Sequence, residues 1–236
     1  MRPLFLVTND DGIESAGLWA LAEGLTAVGD VVICAPDRDY SGAGAATRRE
    51  DGINGPVSVD TIDPERYLGF KGRLPHSGSL KAYALAAPPA ACAWLGMESL
   101  LGRRPDLIVS GINKGPNMGA DTVISGTVGA VRLAQSLGVS GLAVSTTYDE
   151  PDWRAASEAA VAMAQVLVRT PLLEPLALNL NVPSGGSLGP IKVTKLGQFS
   201  WLAFSRFCLK RTGDALTIVQ HLDQPVFKGA PGTDSG

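Results

Sequence analysis

Leu4-Phe5-Leu6-Val7-Thr8-Asn9-Asp10-Asp11-Gly12 begins as an apolar run and stops on two adjacent aspartates. The run reads as a buried strand. Two like charges on neighbouring residues raise each other's pKa unless something positive lies between them. Where the chain turns at a strand end, both carboxylates can aim at one point. A hard divalent cation with oxygen ligands suits that point. The other reading is an Asp-Gly turn in which Asp11 caps the next helix. Taken alone, the segment leaves both readings open.

The pattern continues outward from this stretch. Apolar residues at helical spacing predict a helix over Ala16–Val28, with Ser15 as its cap. Strands are expected at Val31–Ala35, Val57–Ile62, Asp106–Ile112, Leu142–Ser145 and Leu176–Val182. Helices are expected at Pro89–Leu101, Thr127–Leu137 and Trp153–Arg169. Strands alternating with helices imply an α/β fold, a Rossmann-like three-layer and mostly parallel sheet. After Pro183 the rhythm breaks. Ile191–Lys195 and Ala215–Gln220 read as strands of an antiparallel C-terminal arm. The expected domains are therefore a core over 1–183 and an arm over 184–236.

Composition narrows the function. With 236 residues, 45% hydrophobic and 18% charged, the chain can bury a sizeable core. The formal charge is 20 − 23 = −3, and the pairs Arg48-Arg49 and Arg103-Arg104 are isolated, so no nucleic-acid polymer is expected as a partner. Cys34, Cys92 and Cys208 are odd in number and far apart, which argues for a reducing compartment, the cytoplasm. His76 and His221 are the only histidines, too few for a His-rich zinc site. The N-terminal apolar run is too short for a signal peptide. The uncharged stretch Ala82–Gly96 is too short to span a bilayer and is broken by Pro88-Pro89.

Ligands of open α/β sheets bind outside the carboxyl ends of the strands. Three polar clusters fall at such ends: Asn9-Asp10-Asp11-Gly12, the segment from Asp37 to Ser41-Gly42, and Ser110 through Asp121 running on to Ser125-Gly126-Thr127. The third suits an anion. Ser125-Gly126-Thr127 precedes a helix whose N–H groups favour phosphate, and Gly126 permits close backbone approach. Asn113 and Asn117 supply amide oxygens for a cation and amide donors for a phosphoryl oxygen.

The ordered set Val7–Ile13, Ala35-Pro36-Asp37 with Ser41-Gly42, Asp106–Asn113, Ser125–Val128, Pro151-Asp152-Trp153 and Asn179–Pro183 resembles the SurE survival proteins, metal-dependent 5′/3′-nucleotidases. The resemblance implies one divalent ion, Mg²⁺ or Mn²⁺, on Asp10, Asp11, Ser41 and Asn113. It implies substrate and phosphate contacts from Asn9, Gly42, Asn117, Ser125, Gly126 and Thr127, with Asp10, Asp11, Asn117, Ser125 and Thr127 carrying the chemistry. Nucleoside monophosphates and short polyphosphate are the implied substrates. The arm is expected to join copies into a homodimer or homotetramer.

Several positions depart from the family pattern. Ala45 stands where the family has His. Ala87-Pro88-Pro89-Ala90-Ala91-Cys92 replaces Gly-Thr-Pro-Ala-Asp-Cys, and Ile124 replaces an aromatic residue or His. Gly232-Thr233-Asp234 resembles the start of the family's terminal segment, so the family's final strand reads as missing and the arm as shortened. Ala45 and Ala91 are expected in the substrate pocket. A non-catalytic nucleotide or phosphate sensor with a degenerate pocket is therefore the alternative reading. A haloacid-dehalogenase-type phosphatase needs Asp-x-Asp, and the aspartates here are adjacent.

Overall fold

All five residues of the first strand are buried, and the sheet is built around it. The computed structural model describes residues 2–47, 55–68, 78–185, 189–198, 200, 205–212, 215–222 and 233–234. The chain divides into two units, one of Met1–Asn117 with Ile124–Leu188 and one of Met118–Val123 with Gly189–Gly236.

The first unit contains, in chain order, β1 (Leu4–Thr8), α1 (Ala16–Leu25), β2 (Asp30–Pro36), β3 (Val59–Ile62), β4 (Leu80–Leu85), α2 (Pro89–Leu95), β5 (Leu107–Lys114), α3 (Gly126–Ser136), β6 (Gly141–Thr146), α4 (Trp153–Arg169) and β7 (Ala177–Val182). Its sheet runs β3-β4-β2-β1-β5-β6-β7. All neighbours are parallel except β3, which runs antiparallel to β4.

Successive strand residues point to opposite faces, and β1 shows the result. Phe5 and Val7 pack with Leu18, Leu21 and Leu25 of α1 and with Ala156, Ala160 and Ala164 of α4. Leu4 and Leu6 pack with Ala91 and Cys92 of α2 and with Ala130 and Ala134 of α3. The outcome is a three-layer α/β core. Helix α4 earns its length from sequence. Asp152 accepts the Ala155 N–H at 2.9 Å as an N-cap, and Ala156, Ala160, Ala164 and Leu167 form its buried stripe.

Several local expectations change. Ser15 holds the N-cap position of α1, yet its side chain makes no capping bond. Helix α1 stops at Leu25, and the Thr26 hydroxyl donates to Glu23 O at 2.6 Å. Helix α2 stops at Leu95 and continues through Gly96–Leu100 as a wider turn, with Leu101 N–H bonded to Gly96 O at 3.2 Å. Strand β4 had no sequence expectation.

In the second unit, β8 (Ser205–Thr212) pairs antiparallel with β9 (Ala215–Leu222), register Ser205 to Leu222 through Thr212 to Ala215. An antiparallel hairpin therefore exists, but Ile191–Lys195 is not one of its strands. That segment is irregular apart from a single bridge from Lys195 to Thr233. The Asp234 carboxylate accepts the N–H groups of Gly119 and Gly197, each at 2.8 Å. No helix among the described residues is long and apolar enough to cross a membrane.

Candidate metal and phosphate site

β1 has β2 on one side and β5 on the other: the chain builds outward from β1 through β2 to β4, then returns through α2 to β5 and builds the other way. Such a reversal opens a crevice at the carboxyl ends of β1 and β5. Asn9, Asp10 and Asp11 leave β1 there. Asn113 lies near the end of β5, where pairing with β6 shifts register between Ser110 and Asn113. Such irregularities re-aim side chains beside functional sites.

Asp10 is 4% exposed. The Thr127 hydroxyl donates to its Oδ1 at 2.6 Å. Burial pushes the Asp10 pKa up, while Thr127 and the backbone N–H groups of Gly126 and Thr127 pull it back. The positive end of α3 thus faces this carboxylate. A Cβ on residue 126 would stand 2.7 Å from Asp10 Cβ, 2.9 Å from Asp10 Oδ2 and 3.0 Å from Pro89 Cγ, so the approach requires glycine.

Asp11 is pushed up to about 6, first by burial, then by the charges of Asp10 and Asp39; the Lys114 backbone N–H and ammonium oppose the shift. Its Oδ2 is buried without a hydrogen-bond partner. Asn9 donates Nδ2 to Gly12 O at 2.9 Å, while its Oδ1 is likewise buried without a partner. Thr8 Oγ1 and Ser110 Oγ complete the set, and these two residues are register partners between β1 and β5. Buried polar atoms are almost always satisfied. Orphan oxygens at the carboxyl ends of β1 and β5 are open to a bound cation or water. The donors are all oxygen, and they fit a hard divalent ion.

The β2 loop is held against the β1 loop. Tyr40 N–H donates to Asp10 O at 2.8 Å, and Ile13 N–H to Pro36 O at 2.8 Å. Gly12 adopts φ +91°, and a Cβ on it would lie 2.9 Å from the Arg38 backbone. Ser41 and Gly42 are exposed on this loop. Ser41 donates both its N–H and its Oγ to Asp39 Oδ1, each at 2.7 Å. Asn113 is half-buried and donates Nδ2 to Gly115 O at 2.6 Å, so its amide oxygen is the end that suits a cation.

Asn117 is fixed from the far side of the sheet. Its N–H donates to Asn181 Oδ1 at 2.9 Å and its Nδ2 to Ser145 Oγ at 2.9 Å, while its carbonyl accepts from Asn179 at 2.8 Å and Asn181 at 2.9 Å. Ser125 caps α3, accepting the Val128 N–H at 3.1 Å. Lys114 lies over the Tyr148 ring at 4.9 Å.

The structure brings Asp10, Gly126 and Thr127 into contact and ties Asp10 and Asp11 to the β2 and β5 loops. It corrects one expectation. Ala91 is fully buried between α2 and the sheet, so it lines no pocket. Ala45 is exposed, and Ile124 is 39% exposed. Three residues inside the quoted motifs carried no role of their own in the sequence reading. Asp39 is two residues before Ser41, the spacing of a side-chain turn. Asn179 and Asn181 are separated by two, which puts both on one face of β7. Arg48-Arg49 and His76 lie outside the described residues.

Among the described residues, no group of three or more His, Cys, Asp or Glu could hold a metal. An ion here would depend on hydroxyl and amide oxygens beside two carboxylates. A cavity of about 330 Å³ lies elsewhere, lined by Arg104, Asp106, Ser140, Leu172 and Glu174. It contains none of the site residues and lies by the amino ends of β5 and β6, where α/β sheets do not do their chemistry.

Comparison with known proteins agrees with the geometry. The family described as "Survival protein SurE" matches residues 5–203. A protein of Syntrophotalea carbinolica named 5′-nucleotidase SurE is 38% identical over 198 residues, 83% of this chain and 71% of the relative. One of Chloroflexus aggregans with the same name is 41% identical over 199 residues, 82% of this chain and 72% of the relative. The crystal structure of the SurE protein from Aquifex aeolicus superposes with a TM-score of 0.78 at 28% identity, covering 99% of this chain and 88% of that one.

Proposed function

The chain belongs to the SurE family, and from that premise we propose that it is a divalent-metal-dependent phosphomonoesterase acting on nucleoside 5′-monophosphates, and also on 3′-monophosphates and short polyphosphate. The observation that carries this reading is the pair of adjacent carboxylates at the β1 end, one bound by the start of α3 and the other with a partnerless buried oxygen.

Asp10, Asp11, Ser41 and Asn113 would hold one Mg²⁺ or Mn²⁺. Such an ion supplies positive charge for the phosphoryl oxygens and lowers the pKa of water. The chain's own groups do the rest. Asp11 Oδ2 accepts a hydrogen bond from the attacking water and aligns it with phosphorus. Asn9 and Gly42 border the phosphate, with the second N–H of the Asn117 amide donating to it. The Ser125 hydroxyl, whose lone pair is engaged by Val128 N–H, donates its own proton toward the phosphoryl group. Thr127 and the Gly126 backbone keep Asp10 fixed, so the positions that stabilise developing charge need no rearrangement during reaction.

The arm would join copies into a dimer or tetramer. The buried free thiols Cys34 and Cys92 support a reducing cytoplasmic setting.

One experiment tests the activity. Purified protein is incubated with AMP, GMP, a 3′-mononucleotide and tripolyphosphate, with Mn²⁺, with Mg²⁺ or with EDTA. Metal-dependent phosphate release, abolished by Asp10→Ala, is expected. Saturable nucleotide binding without release would favour the sensor reading instead.

A further inference from the structure

A serine hydroxyl that binds a cation must offer a lone pair, and its own proton must go elsewhere. In this chain the destination is defined. Ser41 Oγ donates to Asp39 Oδ1 at 2.7 Å, and Ser41 N–H donates to the same oxygen at 2.7 Å. With its proton committed, the hydroxyl has only lone pairs left to present. The loop that carries it is fixed at both ends. Tyr40 N–H bonds to Asp10 O, and Gly44 N–H bonds to Ile124 O at 2.9 Å, just ahead of α3. The Asp39 charge is among those that raise the Asp11 pKa. Asp39 nevertheless forms no metal-ligating cluster with Asp10 and Asp11 among the described residues.

We infer that Asp39 is a positioning residue for the metal centre: it accepts the Ser41 hydroxyl hydrogen bond and so turns the oxygen lone pairs toward the cation, without ligating. This rests on the metal assignment proposed above. Partners of this kind typically contribute 10- to 100-fold in metal affinity. An aspartate suits the task because an ionised carboxylate only accepts, so the hydroxyl proton cannot point the other way.

Mn²⁺ binding to the full chain, followed by loss of the free-ion EPR signal, tests this without reference to turnover. Asp39→Ala is expected to weaken Mn²⁺ binding by about 10- to 100-fold. Asp39→Asn keeps an acceptor oxygen and is expected to lose less affinity than Asp39→Ala. Because Asp39 acts through Ser41, adding Asp39→Ala to Ser41→Ala should cost less than about twofold more. A purely structural role would weaken both backgrounds equally and would shift the melting temperature of the metal-free protein. Wild-type affinity in Asp39→Ala, or an undiminished effect in the Ser41→Ala background, overturns the inference while leaving the metal centre standing. Wild-type protein that takes up no Mn²⁺ overturns the metal assignment and this inference together.

Discussion

The core sheet and the C-terminal hairpin use similar residues in opposite ways. In β1 the apolar side chains are covered on both faces. In the hairpin, Leu209 and Ile218 are register partners, and Leu216 lies two residues from Ile218, so one face presents an apolar strip. These three are 66%, 69% and 56% exposed, respectively. The cysteines repeat the contrast: Cys34 and Cys92 are buried, Cys208 is exposed. The core satisfies itself, whereas the hairpin carries apolar surface that another chain could cover. Under the proposed function, chemistry belongs to the first region and assembly to the second.

The sharpest way to break this division is at Gly126. In Gly126→Ala the new methyl meets Asp10 and Pro89 inside van der Waals contact. Overpacking of this kind costs about 1–3 kcal/mol, and displacement of Asp10 should lower phosphate release from AMP by about 100-fold. Urea melts and a phosphate assay measure the two losses separately. Full activity in this variant would detach the α3 terminus from the chemistry.

A smaller effect is expected in the arm. The double substitution Leu209→Ser and Ile218→Ser removes the centre of the apolar strip. Light scattering after size exclusion should show a lower association state, with AMP hydrolysis per chain at saturating substrate changed by less than about twofold, since scattered surface changes rarely reach the core. An unchanged mass would mean that the strip does not hold copies together.

The smallest perturbation only counts thiols. Burial pushes Cys34 up to about 12 and Cys92 well above its ordinary value. The reactive species is the thiolate. At pH 8 a disulfide reagent should therefore label Cys208 quickly in native protein and the other two only after unfolding. Rapid labelling of all three would show that the core opens far more readily than its packing implies.

Much of this arrangement was legible in the chain, because local pattern and tertiary role agree there. Leu4–Thr8 and Leu107–Ile112 are apolar runs, and only a sheet covered on both faces accommodates them. Trp153–Arg169 reads as a helix because its apolar stripe falls at helical spacing. Legibility fails where the pattern is shared by two structures or by none. Leu80–Leu85 contains Lys81 and two alanines, poor strand formers, yet its place beside β2 makes it a strand. Ile191–Lys195 alternates like a strand but lacks a ladder, with Ile191 and Val193 turned to the surface. Ala91 was placed in a pocket because of the polar residue it replaces; its surroundings are core. Asp39 was hidden among the charges of its loop, since nothing in a sequence says which carboxylate will meet a neighbouring hydroxyl.

The asparagines of β7 have a consequence beyond holding Asn117. Strand β7 is the outermost member of the sheet on its side, and sheet margins are where other chains can add a strand. Asn179 and Asn181 connect that margin to the backbone of the β5 loop through three hydrogen bonds. A polypeptide that paired along β7 would therefore grip the same strand that holds Asn117, the residue proposed to contact phosphate. The rim of the sheet is in this sense a handle on its centre, and a contact made at the periphery has a short, fully hydrogen-bonded route inward.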